Sequence, residues 1–242
     1  MLILRNLGLE YETWKNLMLL MPRRFLSLLV LGLGWLGLSE ARAQGSNLFG
    51  FEYRNVAKVV HGTDTLRSAW AGGLNSPQFS TLDLNGDNQP DLYVFDRITR
   101  RSLTYLSAAA PGGGRQWQHA PEYEALFPQD LQNWVLLRDY DCDNRPDLFT
   151  ASQIAGNIRV FRNVAGPDGR PRFQLAVANL TFYDPLPPAG DVNITTGGIN
   201  MPDIRDVNGD GKLDILCHDY GAFFDIRLFE NTSTSCGGLT FR

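Results

Sequence analysis

The amino-acid sequence predicts an all-β fold of about three four-stranded repeats, too few to close a ring, behind an N-terminal export signal. Three observations predict it. One acidic ten-residue template occurs three times, strand-like runs flank every copy, and a further strand follows each copy at a nearly constant distance.

The copies are DLNGDNQPDL from Asp83 to Leu92, DYDCDNRPDL from Asp139 to Leu148, and DVNGDGKLDI from Asp206 to Ile215. Each has Asp at position one, Asp or Asn at three, Asp at five and nine, and Leu or Ile at ten. Position six is Asn88, Asn144 or Gly211, residue types that enter the left-handed region where a chain bends back on itself. A single copy reads equally well as a solvated hairpin turn, since Asn-Gly and Asp-Asn pairs are ordinary turn chemistry. Three copies in register favour a metal loop. The candidate ligands are Asp83, Asn85, Asp87 and Asp91 in the first loop; Asp139, Asp141, Asp143 and Asp147 in the second; Asp206, Asn208, Asp210 and Asp214 in the third. Position seven (Gln89, Arg145, Lys212) lends its backbone carbonyl, which leaves its side chain free to vary.

Closely spaced carboxylates plus a carbonyl suit calcium, a hard cation that takes six to eight oxygens, so three calcium ions are expected. Magnesium keeps its waters and rarely takes an all-protein cage. Zinc lacks a His or Cys cluster here. An EF-hand loop needs Glu at position twelve, where this chain has Val94, Thr150 and Cys217. Dockerin loops continue into a helix, whereas these run into LYVF, LFTA and ILCH, which read as buried strands.

Strands are also expected before each loop, in FSTL, WVLLR and the weaker MPDIR, so every loop joins two strands of a hairpin. A third strand follows as LTYL from Leu103, NIRVFRN from Asn157 and DIRLFEN from Asp225, and a fourth is clearest as RFQLAVA from Arg172. First ligands lie 56 and 67 residues apart. Units of this size with four short strands are the pattern of β-propeller blades, whose inner strands are sandwiched between neighbours and therefore apolar on both faces. The stretches PGGGR, GPDGRP and DPLPPAGD fall between strands and read as blade loops.

On these loops and their flanks the chain resembles the FG-GAP or VCBS repeat family, integrin-α-like β-propeller blades with a calcium loop between first and second strands. The resemblance covers roughly Phe51 to the C-terminus, and FGFEYRN…WAGGLNSPQFS is similar to the opening of such proteins exported by bacteria with a type IX secretion system. It implies a calcium-binding extracellular or cell-surface module of the adhesion kind. The chain departs from the family at position four of the second loop, where Cys142 stands in place of the usual Gly, and in having few repeats.

Met21 opens MPRRFLSLLVLGLGWLGLSEARAQ, a basic start, a 14-residue apolar run from Phe25 to Leu38 and an Ala41-Arg42-Ala43 cleavage site. Residues 1–43 are accordingly read as a signal peptide and 44–242 as a partial propeller. A signal anchor is the competing reading, though the run is short for a bilayer. Glu10 and Glu12 suit neither role, which points to Met21 as the translation start. The mature 199 residues carry 17 basic and 23 acidic side chains, net −6, and ten of the acids are proposed ligands, so three calcium ions roughly neutralise the chain. No basic patch remains for nucleic acid or a membrane surface. Three cysteines, Cys142, Cys217 and Cys236, do not make a disulfide framework. Export permits a Cys217–Cys236 bridge, and a buried thiol is the preferred reading of Cys217.

The functional expectation is a secreted, non-enzymatic propeller that displays loops to a protein or glycan. The alternative is a propeller-fold lyase or hydrolase acting on polysaccharide, and a third reading is a spacer in a larger surface protein. His61, His119 and His218 lack metal-ligand spacing and are expected at the surface or in loops. Glu122 and Glu124 in PEYEAL are read as solvated and on one strand face. Too few blades for closure imply an N-terminal fragment of a longer propeller or assembly with other chains, with Phe51 to Val60 capping the first blade and a bare face around Ile215, Leu216 and Leu228. N-terminal sequencing of exported material should begin at or near Gln44. Membrane-bound protein retaining Leu26 to Leu38 would refute the cleavage.

Overall fold

The structure, a computed structural model, describes residues 57–153, 156–197, 200–218 and 225–242. The expected signal peptide, residues 1–43, and the part of the expected cap from Phe51 to Val56 lie outside the described residues. The chain divides into units 1–51 and 52–242, and every element below belongs to the second.

A short hairpin, β1 (Val59–His61) and β2 (Asp64–Leu66), precedes the first blade. That blade is β3 (Pro77–Leu82), β4 (Asp91–Asp96), β5 (Arg101–Ala109) and β6 (Arg115–His119), antiparallel in this order. A 3-10 helix over Pro121–Leu126 leads to the second blade: β7 (Gln132–Arg138), β8 (Asp147–Ala151), β9 (Ile158–Asn163) and β10 (Phe173–Val177). A second hairpin, β11 (Thr181–Asp184) and β12 (Gly190–Asn193), intervenes before β13 (Asp203–Arg205), β14 (Asp214–His218) and β15 (Ile226–Phe229). The fourth position of this third blade is held by the C-terminal segment. There Phe241 bridges Asn231 antiparallel and Phe182 parallel, and Glu230 and Arg242 exchange backbone hydrogen bonds. The chain is thus all-β, with successive blades of an incomplete propeller. DPLPPAGD lies in the β11–β12 hairpin, and this insertion accounts for the longer second repeat spacing.

Burial follows position in the blade. Every residue of β8 and nearly every residue of β4 is buried, because each has a neighbouring blade or covering segment on both faces, while the outer β10 is mostly exposed. The innermost strand β7 contacts β3 on one side and β13 on the other. Between the first two blades, Leu82, Tyr93 and Phe95 pack with Val135, Leu148 and Phe161. Phe127, just past the 3-10 helix, stacks on Tyr93 with centroids 4.0 Å apart. Between the second and third, Trp134, Phe149 and Val160 meet Ile204, Ile215 and Phe229, with Phe182 and Ile194 from the inserted hairpin. Full burial of one such side chain contributes about 1.5–3 kcal/mol.

Ala71 covers Val94, Leu103 and Tyr105 on the outer face of the first blade, ahead of which Val60 remains exposed. On the third blade Ile215 is fully buried against the second, which corrects its expected place on a bare face. Strand alternation is the reason: Ile215 pairs with Phe229, and the opposite parity puts Leu216, Leu228 and Ile226 on the far side.

A disulfide joins Cys142 and Cys236, whose Cα atoms are 6.0 Å apart, and Cys217 is a buried thiol outside that bridge. The Cys217–Cys236 pairing is therefore wrong, and the preferred reading of Cys217 as a buried thiol holds. The bridge ties the second acidic loop to the C-terminal turn of the next blade, closing 94 residues of sequence. Urea unfolding of Cys142→Ser should show a loss of about 2–5 kcal/mol, the usual range for a native bridge. Thiol titration of the unfolded, unreduced parent should find Cys217 alone.

Candidate metal centres

All three acidic loops fold the same way. The first-position carboxylate is an acceptor for the backbone around it: Gly86, Asp87 and Asn88 N–H donate to Asp83, Asp143 and Asn144 to Asp139, and Gly209, Asp210 and Gly211 to Asp206, at 2.7–3.3 Å. Reaching back in this way requires positive φ at positions four and six, seen at Gly86 and Asn88, Cys142 and Asn144, and Gly209 and Gly211. Position six was legible from residue type; position four was obscured by Cys142.

The ninth position does something the spacing did not reveal. Asp91, Asp147 and Asp214 are each 0 % exposed. One carboxylate oxygen accepts the N–H of the second loop residue (Leu84, Tyr140, Val207), at 3.0 Å in all three. The other accepts a third-strand N–H or one just beyond it, from Ser107 or Asn163 at 2.8 Å and Asn231 at 2.9 Å. Loop, second strand and third strand are clamped by one side chain.

The third and fifth positions close local turns. Asn85 and Asn208 accept from Asp87 and Asp210 N–H at 2.9 Å, and Asp87, Asp143 and Asp210 accept from the seventh-position N–H at 2.8–3.0 Å. The seventh side chains are not idle in two loops. Arg145 is ion-paired with Asp143, and Lys212 Nζ lies 3.0 Å from Asp210, whose pKa that hydrogen bond lowers. Gln89 in the first loop carries no charge.

The second loop brings its carboxylates closest. Ligand atoms of Asp139, Asp141 and Asp147 lie within 4.8 Å of one another, the one such acidic group among the described residues. Its equivalents in the other loops have an amide, Asn85 or Asn208, at the third position. Asp141 is nine-tenths buried. Its Oδ1 lacks a hydrogen-bond partner and its Oδ2 is 2.5 Å from Arg162 Nε. An orphaned buried carboxylate oxygen in an all-oxygen cluster fits a hard divalent cation. Burial pushes the Asp147 pKa up to about 6, against the lowering effect of the Asn163 and Tyr140 N–H groups and with the added repulsion of Asp141 and Asp143.

PEYEAL is a 3-10 helix and not a strand, with Glu122 exposed and Glu124 half-buried. Glu124 Oε1 sits 3.7 Å from His119 Nε2. His119 is buried in β6 beside Tyr105, contrary to the surface expectation; burial lowers its pKa and raises that of Glu124. His61 and His218 are exposed strand residues. A cavity of about 170 Å³ beside β14 is lined by Phe182, Asn193, His218, Arg227 and a single carboxylate, Asp184.

Residues 139–217 match the family model of the FG-GAP-like repeat, from the first ligand of the second loop through β14. That segment is an FG-GAP-like repeat. No curated protein and no solved structure matches the chain.

The position of Asp147 has a pH consequence in metal-free protein. Its folded pKa of about 6 lies above the ~3.9 of an unfolded Asp, so the folded state binds the extra proton between those values. The stability this proton confers is complete below pH ~4 and lost as pH rises through about 6. Chelated protein should therefore lose stability from this group between about pH 4 and 6 and level off above, and Asp147→Asn should flatten that slope in urea unfolding series. An unchanged slope in the variant contradicts the assignment.

Proposed function

We propose that this chain is an extracellular calcium-binding repeat module, non-enzymatic, whose blades present loops to a protein or glycan ligand in adhesion or surface recognition. The reading rests on one observation above the rest: the loops share one hydrogen-bonded fold, and the second gathers Asp139, Asp141 and Asp147 with a buried carboxylate oxygen left without a hydrogen-bond partner. Twelve side chains, four from each loop, would supply the oxygens, with the backbone carbonyls of Gln89, Arg145 and Lys212 as the remaining protein ligands. Bound calcium would offset the mutual repulsion of these carboxylates. The residues themselves orient the loop, as their backbone hydrogen bonds already do.

One further feature supports the extracellular part: the Cys142–Cys236 bridge suits an oxidising compartment.

Extracellular calcium modules bind with Kd of about 10⁻⁴ to 10⁻³ M, and at ~2 mM calcium a site with Kd ~0.1 mM stabilises by about 1.8 kcal/mol. Asp87→Ala and Asp210→Ala should each abolish that increment in thermal melts with calcium and change little in excess chelator. An equal loss with chelator present would assign these residues to the turn alone, and calorimetric titration showing no calcium heat in the parent would sink the reading.

A further inference from the structure

Each junction between blades repeats one contact. The turn between third and fourth strands of a blade leans on the fourth position of the preceding blade's acidic loop. At the first junction a Cβ on Gly86 would lie 2.6 Å from Asp168 O, beside Gly169 in the β9–β10 turn. At the second, Gly237 N–H donates to Tyr140 O at 3.1 Å and Cys236 is bonded to Cys142. Gly169 and Gly237 each lie six residues beyond the residue whose N–H bonds the buried ninth-position Asp. The same count in the first blade, from Ser107, reaches Gly113 in the Ala110–Gly114 turn.

Both halves of this contact are left over once. Among the described residues, nothing lies within 4 Å of a Cβ built on Gly112, Gly113 or Gly114 of the first blade, nor on Gly209 or Gly211 of the third loop. The third loop is also the most exposed, with Asp206, Asn208 and Asp210 all open, whereas Asp139 and Asp141 beneath the Cys236 turn are half-buried. Arg138 donates across the second junction to Ile204 O at 2.7 Å, while Arg205, its counterpart just before the third loop, is exposed and pairs with Asp203 of its own blade. Apolar surface accompanies both free ends: Ile226 and Leu228 on the third blade, Leu66 and Trp70 ahead of the first.

We propose that the open side of the third blade docks a second copy of this chain, head to tail, with the partner's Ala110–Gly114 turn seated on Gly209. The two surfaces differ, so the contact is heterologous, and the described blades of two copies joined reciprocally about a two-fold axis number about six, within the range that closes a ring. The partner's segment around Leu66 and Trp70 lies in the same joint, against Ile226 and Leu228. The contact is made by backbone and apolar surface, with no ion as a partner, although Gly209 belongs to the third acidic loop.

The native bridge supplies the test. Cys142 and Cys236 occupy the places that Gly209 and Gly112 hold at the open ends, so Gly112→Cys combined with Gly209→Cys should form disulfide-linked dimers on oxidation, and neither single variant should. Sedimentation of the parent chain should show a dimer, and Leu228→Arg, outside the acidic loops, should weaken association about tenfold or more while leaving calcium-dependent stabilisation intact. A parent chain that stays monomeric at high concentration overturns the proposal, as does cross-linking by Gly209→Cys alone as efficient as by the pair. Loss of calcium stabilisation with dimerisation retained would count against the metal reading only.

Discussion

Each repeat depends on a buried carboxylate. A charged group at 0 % exposure is strongly disfavoured unless its partners are in place, and Asp91, Asp147 and Asp214 each have two backbone N–H donors to meet that need. Because one donor comes from the loop and the other from the end of the third strand or just past it, the bond sets the register of three strands at once. It also explains the order of residue types. The aspartate begins the second strand, and the apolar Leu92, Leu148 or Ile215 that follows enters the blade interior immediately after it. Two N–H donors do not exhaust a carboxylate, and at Asp147 burial, with repulsion from Asp141 and Asp143, raises the pKa in spite of them. A proton or a cation relieves that repulsion.

The loops are also the mortises of blade assembly. Position four turns the chain through positive φ and, in the first two loops, touches the next blade. The first junction meets this with glycine on each side, Gly86 and Gly169, since a Cβ would strike the facing backbone. The second meets it with a covalent bond, and Cys142 takes a left-handed conformation usually left to glycine. Ion binding and blade stacking therefore act on the same few residues, and each stiffens the loop that the other uses.

Much of this was legible in residue spacing. The ten-residue template placed the loops and both strands of each hairpin, because side-chain ligands and turn formers must recur at set offsets. What it missed involves partners without side-chain signatures or far away in sequence. The N–H of Ser107 is as anonymous as any, though Asn163 and Asn231 at its equivalents hint at a shared role. Cys142 and Cys236 are brought together by a turn whose docking no local pattern encodes. The β11–β12 hairpin left a trace in the unequal repeat lengths. Ile215 was misplaced by one step of strand parity, and Glu124 and His119 were misjudged because PEYEAL folds as a 3-10 helix over the first core.

The three loops are chemically unequal, and the inequality lies in cations already present. In the second loop Arg162 contacts Asp141 and approaches Asp143, and Arg145 pairs with Asp143, so an incoming divalent ion competes with two guanidinium groups for the carboxylates it needs. In the third, Lys212 is held between Asp210 and the Ser233 carbonyl, a single ammonium with an alternative acceptor to which it can withdraw. The first loop has neutral Gln89 at that place. Against this, the second loop has four carboxylates to the three of the others, and its unpartnered Asp141 oxygen is the most poorly satisfied acceptor of the set. Charge count favours a cation there, while displacement of arginine opposes it, so the affinity of that site follows from how far Arg162 and Arg145 can swing to solvent from the strand and loop that carry them.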